Sequence, residues 1–206
     1  GKSMHDRRVS QLAERLGEHF DVLAFDFSGH GMSGGTCALD LAAAAAQVRK
    51  LVDYGRGLGY QRIALVGCSM GGAAAIISAA QGAPVDAVVT ISSPAGPPRH
   101  TRVVVPAPVR WWARLMGTRL AQRAHLTSWP AEFVDQVSPI PLLIVHNGLD
   151  TLVSREDSET LFALAHPPKD ILLVPHALHA ASKLSARSII SWLDEQMPQE
   201  TPSELS

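Results

Sequence analysis

The 206-residue sequence contains only two cysteines, Cys37 and Cys68, and its net charge is −1. Two cysteines cannot build a disulfide framework and are typical of a reducing compartment, so we predict a cytoplasmic protein. The balanced charge argues against a nucleic-acid partner, and no apolar run approaches the roughly 20 residues of a membrane helix. The N-terminal residues lack the apolar stretch of a signal peptide. The histidines have no cysteine or carboxylate partners at ligand spacing, so no metal or cofactor is predicted.

Short apolar runs alternate with helical stretches along most of the chain. The runs are rich in Val, Ile and Leu and do not alternate with polar residues, as expected for strands buried on both faces. We predict strands at 22–27, 63–66, 87–91, 142–145 and 171–174. We predict helices at 6–18, 38–58, 70–81, 155–165 and 180–196. This order predicts a single α/β domain over 1–206, with a mostly parallel sheet and helices on both faces. The polar tail after residue 197 is expected to fray.

The segment GCSMG at 67–71 stands between a predicted strand and an Ala-rich predicted helix. A tight strand-to-helix turn of this Gly-x-Ser-x-Gly type lifts the serine above the sheet edge, which predicts Ser69 as a nucleophile. The backbone N–H of Met70, at the helix start, would then face a developing oxyanion. The alternative is that Ser69 only caps the helix.

A serine nucleophile needs a base, and the base needs an acid that orients it. Asp150 follows the predicted strand at 142–145, and His176 and His179 both follow the strand at 171–174. We favour His179 because it lies in the predicted loop before the next helix, where its ring can reach over the strand ends. The alternative is that Asp150 only stabilises a turn or caps a helix.

Four stretches together resemble the α/β-hydrolase fold, in the branch of small esterase-like and acylaminopeptidase-like members. They are FDFSGHGMSG at 25–34, GCSMGG at 67–72, HNGLDTLV at 146–153 and PHALH at 175–179. The resemblance implies a Ser-Asp-His triad of Ser69, Asp150 and His179. It also implies a strand and a His-Gly loop, which supplies a second oxyanion donor, before the first helix. This chain lacks both, so we expect either direct pairing of 22–27 with 63–66, another occupant of that place, or a truncated piece with impaired activity.

The run GHGMSG at 29–34 also fits the dinucleotide-binding pattern Gly-x-Gly-x-x-Gly. That reading requires a helix immediately after the glycines and an acidic residue at the end of the next strand. Neither follows here, so we predict that the loop lines the substrate pocket or supports the serine turn. Asp26 is predicted to hold this loop by hydrogen bonds.

The stretch 94–137 interrupts the alternation and is predicted to form a small helical cap. It is rich in arginine and contains Trp111 and Trp112. A basic helix with tryptophans is consistent with a solvated cap packed on the sheet, a lid over an acyl pocket, or binding to a membrane surface.

These features predict a serine hydrolase that cleaves a carboxylic ester, or a thioester or small amide, through an acyl-enzyme intermediate. Its partner would be a small acyl ester substrate. Two alternatives remain: an acyltransferase, in which an alcohol replaces water, and a non-catalytic binding module that keeps the fold.

Overall fold

The chain forms a parallel β-sheet covered by helices. The structure is a computed structural model that describes residues 7–35, 40–97, 128–179 and 183–198. Its strands are β1 (Ala64–Cys68), β2 (Ala87–Ile91), β3 (Leu142–Leu149) and β4 (Lys169–Leu178). Its α-helices are α1 (Arg7–Leu16), α2 (Leu41–Gly57), α3 (Met70–Ala80), α4 (Arg155–Leu164) and α5 (Lys183–Gln196). The strands pair in the order β1-β2-β3-β4, always in parallel, so their carboxyl ends share one edge.

Helices cover both faces because alternate residues of a strand point to opposite sides of the sheet. On one face Val88 and Ile144 pack with residues of α2, α3 and α4. On the other face Val89 and Leu143 pack with residues of α1 and α5. All five residues of β2 are buried, as expected for a strand covered on both sides. The predicted α/β fold with helices on both faces is therefore confirmed.

Four of the five predicted strands and all five predicted helices are present. β2 has the predicted bounds, whereas β3 and β4 extend to Leu149 and Leu178, each four residues beyond the prediction. The start of α2 shows a local cause: the Asp40 side chain accepts the Ala43 N–H at 3.0 Å and caps the helix. The added residues of β3 and β4 lie at the carboxyl edge, where they set the positions of the candidate site.

The predicted strand at 22–27 is wrong. In the described part of the chain β1 is hydrogen-bonded only to β2, and 22–27 joins no ladder. Phe25 and Phe27 still pack against the core, but Val22 and Leu23 are 42% and 58% exposed. An apolar run becomes a strand only where a neighbour supplies hydrogen bonds. Direct pairing of this segment with β1 is therefore excluded.

The predicted cap at 94–137 falls largely on residues 98–127, which lie outside the described residues together with Trp111 and Trp112. The described part of the cap contains two short 3-10 helices, Pro130–Glu132 and Val134–Val137. Trp129 packs here against the small core cluster of α2 and α3. Within the described stretches no helix is long and apolar enough to cross a membrane.

Candidate active site

Ser69 connects β1 directly to α3 with a strained backbone. Its φ is 53° and its ψ is −119°. A positive φ is uncommon for a residue with a side chain, and such strain tends to collect at functional sites. Within residues 40–97, the Ser69 side chain makes no capping hydrogen bond to α3. The helix-capping alternative therefore loses its support.

Glycines allow the strand and the helix to meet at this turn. A Cβ atom on Gly67 would lie 2.4 Å from the carbonyl carbon and oxygen of Gly71. A Cβ atom on Gly72 would lie 2.1 Å from Ser93 Oγ and 2.3 Å from Thr90 Oγ1. The turn therefore needs glycine on both sides of Ser69 because backbone and hydroxyl atoms occupy the space.

Asp150 and His179 are hydrogen-bonded to each other. His179 Nδ1 lies 2.6 Å from Asp150 Oδ2, and the Asp150 side chain is fully buried. The other carboxylate oxygen accepts the N–H groups of Leu152 at 2.8 Å and Val153 at 3.0 Å. The two residues directly follow β3 and β4, just as Ser69 directly follows β1. The structure thus places all three predicted triad residues at one edge of the sheet and joins the acid to the base.

A bulge in the pairing of β3 with β4 lies directly before Asp150 and His179. The pairing of β3 with β4 shifts register between Asn147 and Leu149. At Gly148 the two strands come so close that a Cβ atom would lie 2.7 Å from the Pro175 carbonyl oxygen. Bulges of this kind redirect side chains next to active sites.

The surroundings of Asp150 keep its carboxylate ionised. Burial alone would raise the pKa of Asp150. Hydrogen bonds from His179 and from the N–H groups of Val153 and Leu152 outweigh burial and lower this pKa to about 2. An ionised, buried carboxylate beside an imidazole can hold the ring in one tautomer and stabilise its protonated form.

The comparison with known proteins agrees with this geometry. A family model described as "Alpha/beta hydrolase family" matches residues 1–203. The chain belongs to the alpha/beta hydrolase family. YfhR of Escherichia coli (strain K12), an uncharacterized protein, is 32% identical over 184 residues, which are 86% of this chain. The chain spans only 58% of the length of that relative.

Solved structures share the fold of this alpha/beta hydrolase. The monoacylglycerol lipase of Paleococcus ferrophilus superposes with a TM-score of 0.70 and 21% identity, covering 95% of this chain and 92% of that one. Est1E of Butyrivibrio proteoclasticus, solved with ferulic acid bound, gives a TM-score of 0.72 and 19% identity, covering 96% and 86%. Identities this low establish the common fold and nothing further.

Of the two candidate histidines, only one contacts the acid in the described part of the chain. His176 lies within β4 and is exposed, whereas His179 follows the strand and is 8% exposed. The sequence predicts both residues beyond the strand, because its apolar run ends four residues before β4 does. Met70 is the first residue of α3, where backbone N–H groups have no partner within the helix. Its proposed oxyanion contact stays a prediction.

The polar residues that surround the acid and the nucleophile were not predicted from the sequence. Asn147 donates its side-chain N–H to the Leu178 carbonyl at 2.9 Å, and its backbone carbonyl accepts the Asp150 N–H at 2.9 Å. Ser92 and Ser93 lie at the end of β2, between the nucleophile and the acid. The available signal was the polar pair Ser-Ser directly after a buried strand.

The glycine-rich loop at 29–34 does not open a helix. Gly29 and Gly31 have φ values of 74° and 52°, and the next described helix is α2. Asp26 Oδ2 accepts the Met32 N–H at 3.2 Å, and the Asp26 carbonyl accepts the Ser33 hydroxyl at 2.7 Å. Asp26 therefore holds this loop, as predicted.

A further buried histidine lies beside the site. His146 is 3% exposed, and its Nδ1 lies 3.1 Å from Ser158 Oγ. Burial lowers the pKa of His146, and Arg155 adds to this effect, while nearby carboxylates including Asp150 oppose it. The described residues contain no group of three His, Cys, Asp or Glu side chains placed to hold a metal ion.

Proposed function

We propose that this protein is a serine hydrolase that cleaves carboxylic esters through an acyl-enzyme intermediate. One observation carries the proposal: a buried carboxylate is hydrogen-bonded to an imidazole at the sheet edge where a strained serine ends β1. Membership of the alpha/beta hydrolase family supports hydrolysis as the reaction class. We propose Ser69, Asp150 and His179 as the catalytic residues because of their geometry.

Each residue has a defined role in this mechanism. Asp150 binds Nδ1 of His179, which leaves Nε2 to accept the proton of Ser69 as its oxygen attacks the acyl carbon. The N–H of Met70 and the positive end of α3 stabilise the oxyanion of the tetrahedral intermediate. The alcohol leaves with the proton from His179, and the acyl group remains on Ser69. Water, deprotonated by His179, then releases the acid.

The side chains next to the acid and the base favour an apolar substrate group. Leu149 and Leu152 flank Asp150, and Leu178 precedes His179. These three leucines are 51%, 73% and 60% exposed, respectively. Leu149 pairs with Leu178 across β3 and β4, so two of the three lie side by side. We therefore propose esters with an apolar acyl chain, because burial of its surface against these leucines would strengthen binding.

Labelling with a fluorophosphonate tests the nucleophile, and turnover of p-nitrophenyl esters of increasing acyl length tests the substrate class. We expect the wild type to label and turn over esters, and Ser69→Ala to do neither. His179→Ala should lose roughly 10³-fold or more in kcat. His176→Ala, the matched histidine control, should keep wild-type kcat. Absence of labelling in folded wild-type protein would remove the proposal and favour the non-catalytic module.

A further inference from the structure

The end of β2 lies between the two halves of the candidate triad. Its neighbours in the sheet are β1, which ends at the nucleophile, and β3, which ends at the acid. The Ile91 carbonyl accepts the Ser69 N–H at 2.9 Å. The next residue, Ser92, donates its N–H to the Val145 carbonyl at 2.8 Å. The last residue of β2 therefore binds the main chain of the nucleophile, and the residue after it binds the main chain of β3 on the opposite side.

Ser93 binds the strained nucleophile turn. Its hydroxyl donates to the Ser69 carbonyl at 2.9 Å, and it accepts the hydroxyl of Thr90. The same Ser69 carbonyl also accepts the Ala73 N–H at 3.1 Å. The direction of a carbonyl group reflects the ψ angle of its residue. Two donors thus hold this carbonyl in the direction that the unusual ψ of Ser69 requires.

Ser92 contacts the segment that ends at the acid. Its side chain is completely buried, and its oxygen accepts the backbone N–H of Asn147 at 3.4 Å. The Asn147 carbonyl in turn accepts the Asp150 N–H at 2.9 Å. Ser92 is therefore connected to the main chain of the acid through Asn147.

Backbone strain at Ser92 is an independent observation. Among the described residues, Ser69 and Ser92 are the two with a side chain and a positive φ, at 53° and 48°. They stand at the ends of adjacent strands. Such strain persists only where the surrounding structure enforces it, and it concentrates at functional sites. A buried serine in this conformation would cost less as glycine if its hydroxyl had no role.

We propose that Ser92 and Ser93 are a positioning pair that holds the nucleophile turn and the acid in register across β2. The proposal rests on the proposed function, since it assigns the pair to the same triad. Neither serine needs to touch the substrate. Ser93 acts through the Ser69 carbonyl, and Ser92 acts through Asn147, whose carbonyl accepts the Asp150 N–H.

Two substitutions separate positioning from stability. Ser92→Gly removes the hydroxyl but relieves the strained φ, so the variant should unfold at the same or a higher urea concentration than the wild type. Its kcat should nevertheless fall about 3- to 10-fold, as expected for one lost hydrogen bond, with little change in KM.

Ser93→Ala should lower kcat by a similar factor, because Ser93 holds the carbonyl of the strained nucleophile turn. Ser78→Ala is the matched control. Ser78 is a buried serine of α3 whose hydroxyl has no hydrogen-bond partner within the part of the chain that is described. Its loss should leave kcat unchanged.

A readout that does not depend on turnover distinguishes this inference from the proposed function. The proton between His179 Nδ1 and Asp150 gives a downfield proton NMR resonance, which Ser92→Gly should shift and Ser78→Ala should not. If Ser92→Gly shifts this resonance but the folded wild type does not label, the proposed function is overturned. The connection of Ser92 to the segment of the acid is then kept. If Ser92→Gly and Ser93→Ala both keep the wild-type kcat, and Ser92→Gly also keeps the wild-type resonance position, the positioning pair is overturned.

Discussion

Replacing Asp150 with asparagine keeps the shape of the side chain but changes what it offers to His179. One amide oxygen can still accept the N–H groups of Leu152 and Val153. The amide nitrogen would then face His179 Nδ1, which now lies 2.6 Å from a carboxylate oxygen. Because the amide nitrogen is a donor, the imidazole would have to carry its proton on Nε2, where it cannot act as a base. We expect kcat to fall by about 10⁴-fold, the loss seen for this change in an unrelated serine protease.

The same substitution should change how stability depends on pH. The pKa of Asp150 is lowered from 3.8 to about 2 in the folded protein. A lowered carboxyl pKa stabilises the fold above the unfolded value and loses this contribution as the pH falls toward the folded value. The shift corresponds to roughly 2 kcal/mol at neutral pH. The difference in the free energy of unfolding between the wild type and Asp150→Asn should therefore become smaller as the pH falls from about 4 to about 2.

Two measurements check this reasoning. Ester turnover gives kcat, and urea unfolding at several pH values gives the free energy of unfolding. Asp53→Asn serves as a control, because Asp53 is 54% exposed in a surface pair with Arg49 and should change stability by no more than about 0.5 kcal/mol. An Asp150→Asn variant with wild-type kcat, or with the same loss of stability at every pH, would refute the assignment of Asp150.

Two further predictions concern packing and a buried titratable group. Gly72→Ala should cost about 1–3 kcal/mol and lower activity, because its Cβ would meet two hydroxyl oxygens at 2.1 and 2.3 Å. Gly57→Ala, with nothing within 4 Å of the new Cβ, should instead stabilise α2 by roughly 0.5–1 kcal/mol; equal urea midpoints for the two variants would contradict this. Burial lowers the pKa of His146, so stability should fall as the pH drops below about 6.5. Unfolding of His146→Asn should show a weaker pH dependence there, and an unchanged slope would contradict the argument.

Local patterns were enough to predict much of this protein. Apolar runs of strand length predicted β1 to β4, since buried strands need Val, Ile and Leu on both faces. The Gly-x-Ser-x-Gly turn after β1 predicted Ser69, because that backbone conformation requires glycines beside it. The order of Ser69, Asp150 and His179 along the chain predicted a triad, and the structure joins its last two members. The strand and turn predictions succeed because each depends on residues close together in sequence, whereas the triad was implied by the resemblance of four separate stretches to alpha/beta hydrolases.

Other features were decided by contacts between distant residues. The segment at 22–27 has the composition of a strand but no neighbour to pair with. The choice of His179 over His176 depends on where β4 ends and on a hydrogen bond to a residue 29 positions away. The positioning role proposed for Ser92 and Ser93 could be inferred only from the structure, because it depends on the place of β2 between β1 and β3. Hydrogen bonds across a sheet depend on strand order and register, and local sequence encodes neither.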